Sequence, residues 1–216
     1  METILHISNL NKSFGDHHVL RNLNLEIKRG SFVVLTGPSG SGKSTLLNIV
    51  GLLDKQDSGN LIYFGVENPK PFSSQASKLL RTKIGYLFQN FALIENKTVE
   101  QNLMIALNFS KESNKRDKIK EVLKYVGLDG FAKKIISQCS GGEQQRIAVA
   151  RLLLKPCELV LCDEPTGSLD FDNRQNIIEL LKMLQNNGKT IFIVSHDPEV
   201  IAHAERHYQL LDIMES

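Results

Sequence analysis

The nine residues GPSGSGKST, Gly37 to Thr45, constrain this chain more than any other stretch. They match the pattern G-x-x-x-x-G-K-[ST]. The continuous apolar run FVVLT, Phe32 to Thr36, leads straight into them, as in a strand covered on both faces. STLLNIVGLL, Ser44 to Leu53, leads out and reads as a helix that stops near Gly51. Glycines here let the backbone wrap a phosphate with its N–H groups pointing inward, backed by the positive end of a helix dipole. Lys43 adds a point charge at the β- and γ-phosphates, and the Ser44 hydroxyl is placed to ligate Mg2+. Gly37, Pro38, Ser39, Gly40, Ser41, Gly42, Lys43, Ser44 and Thr45 are therefore candidate nucleotide-binding residues.

The rest of the chain alternates in a way that suits this loop. Leu23, Leu25 and Ile27 alternate with polar neighbours, as in a half-buried strand. LIYF and IGYLF read as further strands, LVLC (Leu159 to Cys162) and TIFIVS (Thr190 to Ser195) as buried ones, and HYQLLDI (His207 to Ile213) as the last. FDNRQNIIELLKMLQ lies between two of them and reads as a helix. Strands alternating with helices predict a mostly parallel sheet with helices on both faces. The middle is helical and more polar. Ile119, Val122, Leu123 and Val126 fall on one helical face that Gly127 would end, and Ile147, Ala150 and Leu154 form another. The expectation is one domain over residues 1–216, with a helical subdomain of roughly 90–150 inserted between the halves of the sheet.

Composition narrows the partners. The net charge is +2, which does not indicate a strongly basic face for nucleic acid, so none is expected as a partner. The lysines and arginine between Lys111 and Lys120 read as the solvated face of a helix. No apolar run is long enough to span a membrane, and METILHISNLNKSFG has no signal-peptide pattern. Three cysteines without metal-ligand spacing read as buried thiols in a reducing compartment. His6, His17, His18, His203 and His207 lack a catalytic context and read as structural.

Three more strand ends carry polar residues that fit a phosphate site. LVLCDEPTGSLD delivers Asp163 to the carboxyl edge of the sheet, where open α/β sheets bind ligands. Asp163 can hold Mg2+, through water. The adjacent carboxylate, Glu164, suits the attacking water. Gln89 follows IGYLF and His196 follows TIFIVS, each where a strand end would meet the γ-phosphate. A second anion-binding loop is CSGGEQQR, Cys139 to Arg146, with Ser140, Gly141 and Gly142 at a helix start. One triphosphate has enough contacts in the first loop. The economical geometry is a head-to-tail pair in which each copy's second loop closes on its partner's γ-phosphate.

The ordered set GPSGSGKST, YLFQN, CSGGEQQR, LVLCDEPTGSLD and VSHD resembles the ATP-binding subunit of ATP-binding cassette (ABC) transporters over nearly the whole chain. The resemblance implies an α/β P-loop NTPase (RecA-like) core with a mostly parallel sheet, an N-terminal antiparallel β-subdomain and an inserted α-helical subdomain. It implies ATP and Mg2+ as cofactors and a homodimer that sandwiches two ATP molecules. Glu164 would polarise water, His196 would contact the γ-phosphate, and Gln89 would join the metal site, formed with Ser44 and Asp163, to a transmembrane permease. A hydrophobic groove near Gln89, with Phe88 and Phe91 as candidate lining, would take a coupling helix of that permease. Asp170 would bridge the two sites, and Phe14 would stack on adenine where the family more often has Tyr. Cys139 departs from the usual Leu, which should alter packing under the loop but not its backbone donors. DEPTGSLD, LNIVGLLDKQDSG and the short length look like cassettes serving macrolide, bacteriocin, antimicrobial-peptide and lipoprotein systems. The chain ends soon after VSHD, leaving no room for a regulatory domain. The expected place is cytoplasmic, on the inner face of the cell membrane. Two alternatives stay open: a cell-division cassette that regulates a membrane partner without transport, and a soluble DNA-repair or translation ATPase.

Overall fold

The computed structural model describes residues 2–88, 90–108, 113–167 and 171–214, with the side chains of residues 171 and 172 left aside. The elements run β1 (Thr3–Phe14), β2 (His17–Lys28), β3 (Phe32–Thr36), α1 (Lys43–Val50), β4 (Ser58–Tyr63), β5 (Val66–Glu67), α2 (Ser74–Thr82) and β6 (Ile84–Leu87). There follow α3 (Val99–Met104), α4 (Lys115–Tyr125), α5 (Gly141–Leu154), β7 (Leu159–Asp163), α6 (Phe171–Asn186), β8 (Thr190–Val194), α7 (Pro198–Ala202) and β9 (Arg206–Gln209).

Two sheets form. The first is antiparallel, in the order β2-β1-β4-β5, and takes up the N-terminal hairpin together with the LIYF run. The second has the order β6-β7-β8-β3-β9, and every pairing in it is parallel. Its strands β3, β7 and β8 are buried because alternate side chains enter different cores. Val33, Leu35, Leu161, Phe192 and Val194 join Leu5, Leu23 and Leu25 of the hairpin and Leu46, Leu47 and Val50 of α1. Phe32, Val34, Val160, Cys162, Ile191 and Ile193 join Val99 of α3, Leu123 of α4, Ile147 of α5 and Leu181 of α6 on the other side. The antiparallel sheet thus covers much of one face of the parallel sheet, and the helical middle shares its core with the other. Each large aliphatic side chain buried this way contributes about 1.5–3 kcal/mol.

Local signals explain most boundaries. Gly127 takes φ +71 and ends α4, with its N–H on Lys124 O at 3.1 Å and that of Leu128 on Leu123 O at 2.8 Å. The last strand is shorter than HYQLLDI suggested: β9 stops at Gln209, and Leu210–Ile213 form a turn of 3-10 helix. The cause is its neighbour. Gln209 pairs with Thr36, the final residue of β3, and beyond it β3 has become the glycine loop, so no ladder remains to extend. Leu210 is then buried while Leu211 stays 56% exposed. All three cysteines are free and buried, as read.

Candidate nucleotide site

The glycine loop joins β3 to α1 at the carboxyl edge of the parallel sheet. Gly42 caps α1 at φ 104, and no side chain bonds to the helix's first turn, so its N–H groups face outward as anion donors. A Cβ at Gly42 would lie 2.6 Å from Val19 Cγ1, so glycine alone fits against β2. Lys43 Nζ donates to Gly37 O and Pro38 O, each at 2.8 Å, and so lies along the loop's own carbonyls.

β7 ends at Asp163, one strand removed from β3 across β8. Burial pushes the Asp163 carboxyl above its usual range. A hydrogen bond from Ser44 and the charge of Lys43 pull it down, while the Glu164 carboxylate pushes it further up. A hard oxygen pair, Ser44 hydroxyl and a desolvated carboxylate, fits Mg2+, which takes few protein ligands and keeps much of its water shell. Glu164 has φ +43, a left-handed backbone that costs roughly 1–3 kcal/mol for a residue with a side chain. Its N–H is held by Val194 O at 2.9 Å, which fixes the turn against β8. Glu164 Oε1 lies 2.9 Å from Nδ1 of His196, whose side chain is 78% exposed. Beside them is a pocket of about 140 Å3 lined by Glu164, Thr166, Gly167, Arg174, His196, Asp197 and Pro198.

The second loop opens α5. Ser140 is its N-cap: its hydroxyl accepts from Glu143 N–H at 3.2 Å, and its own N–H donates to Glu143 Oε2 at 2.8 Å. Lys134 Nζ holds the same oxygen at 2.9 Å. The N–H groups of Gly141 and Gly142, in the first turn, are left for an anion. A Cβ at Gly142 would overlap the amide of Asn173 on α6. Gln145, fully buried one turn on, donates to Pro165 O, the residue after Glu164. Cys139 packs beneath the loop as an apolar group, and burial raises its thiol pKa.

The structure therefore brings Lys43, Ser44, Asp163, Glu164 and His196 to one sheet edge and puts Ser140, Gly141 and Gly142 on a separate helix end. Phe14 ends β1, is 54% exposed, and has Lys12 Nζ at 4.8 Å from its ring centroid. Between β2 and the glycine loop is a cavity of about 370 Å3 lined by His17, His18, Val19, Arg21, Gly40 and Ser41, with Leu211 and Met214. Gln89 and Asp170 lie outside the described residues. A groove of about 460 Å3 adjoins Phe88, whose ring stacks on Tyr86 at 4.1 Å. Phe91, also expected there, packs instead against the helical core. Sequence reasoning missed Arg151, which donates to Ala92 O at 2.6 Å and Phe91 O at 2.8 Å; Phe91 and Ala92 both have positive φ. It also missed Gln145, Thr166 and Asn173, since nothing in their spacing distinguishes them from ordinary polar positions.

The ABC transporter family profile matches residues 20–167, and an AAA-domain profile matches 135–202. The cassette MJ0796, described as a bacterial ABC transporter cassette and solved as a dimer, superposes with TM-score 0.85 at 38% identity, over 95% of this chain and 93% of that one. The same cassette in a dimeric post-hydrolysis state bound to ADP and Pi superposes with TM-score 0.83 at 37% identity. The macrolide export ATP-binding/permease protein MacB of Mannheimia succiniciproducens is 40% identical over 215 residues. That of Campylobacter jejuni is 35% identical over 212 residues. Each alignment covers 97% of this chain and 33% of the relative, so the chain spans about one third of the length of these curated relatives. Among the described residues no helix is long and apolar enough to cross a membrane. The chain belongs to the ABC transporter family, as one of its ATP-hydrolysing cassettes.

Proposed function

We propose that the chain powers a bacterial membrane complex. It binds and hydrolyses ATP as a head-to-tail homodimer at the inner face of the membrane and drives export or efflux through a permease. The observation that carries this reading is the separation of two anion-binding ends on one chain. Lys43, Ser44, Asp163 and Glu164 gather at the sheet edge, whereas exposed Gly141 and buried Gly142 open a different helix with their first-turn N–H groups. A second copy supplies the loop that each site lacks.

In that dimer residues 37–45 cradle the phosphates, and Lys43 exchanges the carbonyls of Gly37 and Pro38 for phosphate oxygens. Phe14, exposed at the end of β1, stacks on the base. Ser44, Asp163 and Gln89 would hold Mg2+, which would neutralise phosphate charge when bound. Glu164 accepts a proton from water as that water's oxygen attacks the γ-phosphorus and the bond to the β-phosphate oxygen breaks. A positioned base of this kind is worth about 100- to 10,000-fold in rate. His196 contacts the γ-phosphate, the partner copy's signature loop closes over it, and Asp170 bridges the two sites. The groove beside Phe88 and Tyr86 receives a short helix of the permease. The likeness to MacB proteins and the motif DEPTGSLD favour cargo of the macrolide, peptide or lipoprotein kind, taken from the membrane or outer face.

Purification of the tagged chain from its native membranes in mild detergent tests the reading. A co-purifying permease with a large extracytoplasmic domain is the expected result. Recovery with ribosomes or DNA-repair proteins, and with no membrane protein, would overturn the transport assignment.

A further inference from the structure

Thr166 is 1% exposed, yet its hydroxyl has no hydrogen-bond partner among the described residues. Glu164 Oε2 is also buried and unpartnered among them. Both residues line the same pocket of about 140 Å3, whose walls come from the turn after β7, the turn after β8, and α6. Buried polar groups left without partners cost roughly 1–3 kcal/mol each, so two in one pocket need an explanation. A pocket of this volume has room for ordered water, at about 30 Å3 per molecule. The turn that carries both residues is firmly built: Gly167 N–H bonds to Glu164 O at 3.2 Å, and Gln145 clamps Pro165 O from α5.

We propose that Thr166 is a positioning residue for Glu164, its hydroxyl holding the Oε2 side of the carboxylate through a water in this pocket. The inference rests on the role proposed above for Glu164 and explains how that role survives nucleotide binding. Among the described residues Oε1 is paired with Nδ1 of His196. His196 is exposed and turns to the γ-phosphate in the loaded dimer, so Glu164 then needs a holder that does not leave. Thr166 is buried and sits two residues away in the same turn.

The test compares Thr166→Val, which removes the hydroxyl and keeps the shape, with Thr166→Ser, which keeps the hydroxyl. Thr166→Val is expected to lower kcat about tenfold, within the range a positioned base is worth. It should leave the KM for ATP within about twofold and prolong the ATP-bound dimer seen by light scattering. Thr166→Ser should lie nearer wild type in both readouts. Wild-type kcat for Thr166→Val, or Thr166→Ser as slow as Thr166→Val, overturns the proposal. If the valine variant does not fold, Thr166→Ser against Thr166→Ala isolates the hydroxyl, and equal rates overturn it. Glu164→Gln is measured alongside. If it keeps wild-type turnover, the assignment of Glu164 itself fails; if it is inactive while Thr166→Val is normal, only this inference fails.

Discussion

Gly142 shows how much one hydrogen atom decides. Its missing side chain lets the start of α5 lie against Asn173 of α6, and a Cβ there must push the asparagine amide aside. Gly142→Ala is expected to fold with a loss of about 1 kcal/mol, a fall in Tm of roughly 2–4 °C for a chain of this size. ATP binding to the monomer should be unchanged and steady-state ATPase lower by at least about tenfold, since only the loop facing the partner is disturbed. Calorimetry and a coupled ATPase assay check both halves. The residues that meet at the sheet edge were the most legible part of the sequence. Asp163, Glu164 and His196 each follow an apolar run, which marks a sheet edge, and Lys43 and Ser44 sit in the pattern G-x-x-x-x-G-K-[ST]. Asn173, Gln145 and Thr166 were illegible because their roles depend on which helix packs on which turn, and packing leaves no local trace.

At the scale of elements, the start of α5 depends on Glu143. Burial alone would raise its carboxyl pKa. The Lys134 hydrogen bond, the Ser140 N–H, and the charges of Lys134 and Arg146 outweigh burial and hold it below the ordinary value of 4.5. A carboxylate whose pKa falls on folding adds stability above its unfolded pKa, and that stability is lost as pH drops through the folded value. Wild type should therefore lose stability as pH falls below about 4.5, and Glu143→Gln should show a shallower fall in that window. Urea midpoints across that range measure the difference; identical slopes would remove Glu143 from the cap's energetics. β3 and β8, as continuous apolar runs, and α4, with its clean helical period, could be read directly. β1 could not: its pairing with β2 shifts register between Thr3 and Leu5, and again at three places up to Ser13, which breaks the alternation. β9 could not either, because its end is set by where β3 stops.

On the scale of the whole molecule, the account turns on a chain that carries a phosphate cradle and a second anion-binding helix end apart from it. In the dimer proposed above the two belong to different nucleotides, and a second copy brings them together. Interrupting hydrolysis should then trap the pair. Light scattering of Glu164→Gln with ATP and Mg2+ tests this most directly. The account predicts a shift from 24.2 kDa to twice that mass with ATP, reversed by ADP. A variant that binds ATP and remains at 24.2 kDa would contradict it.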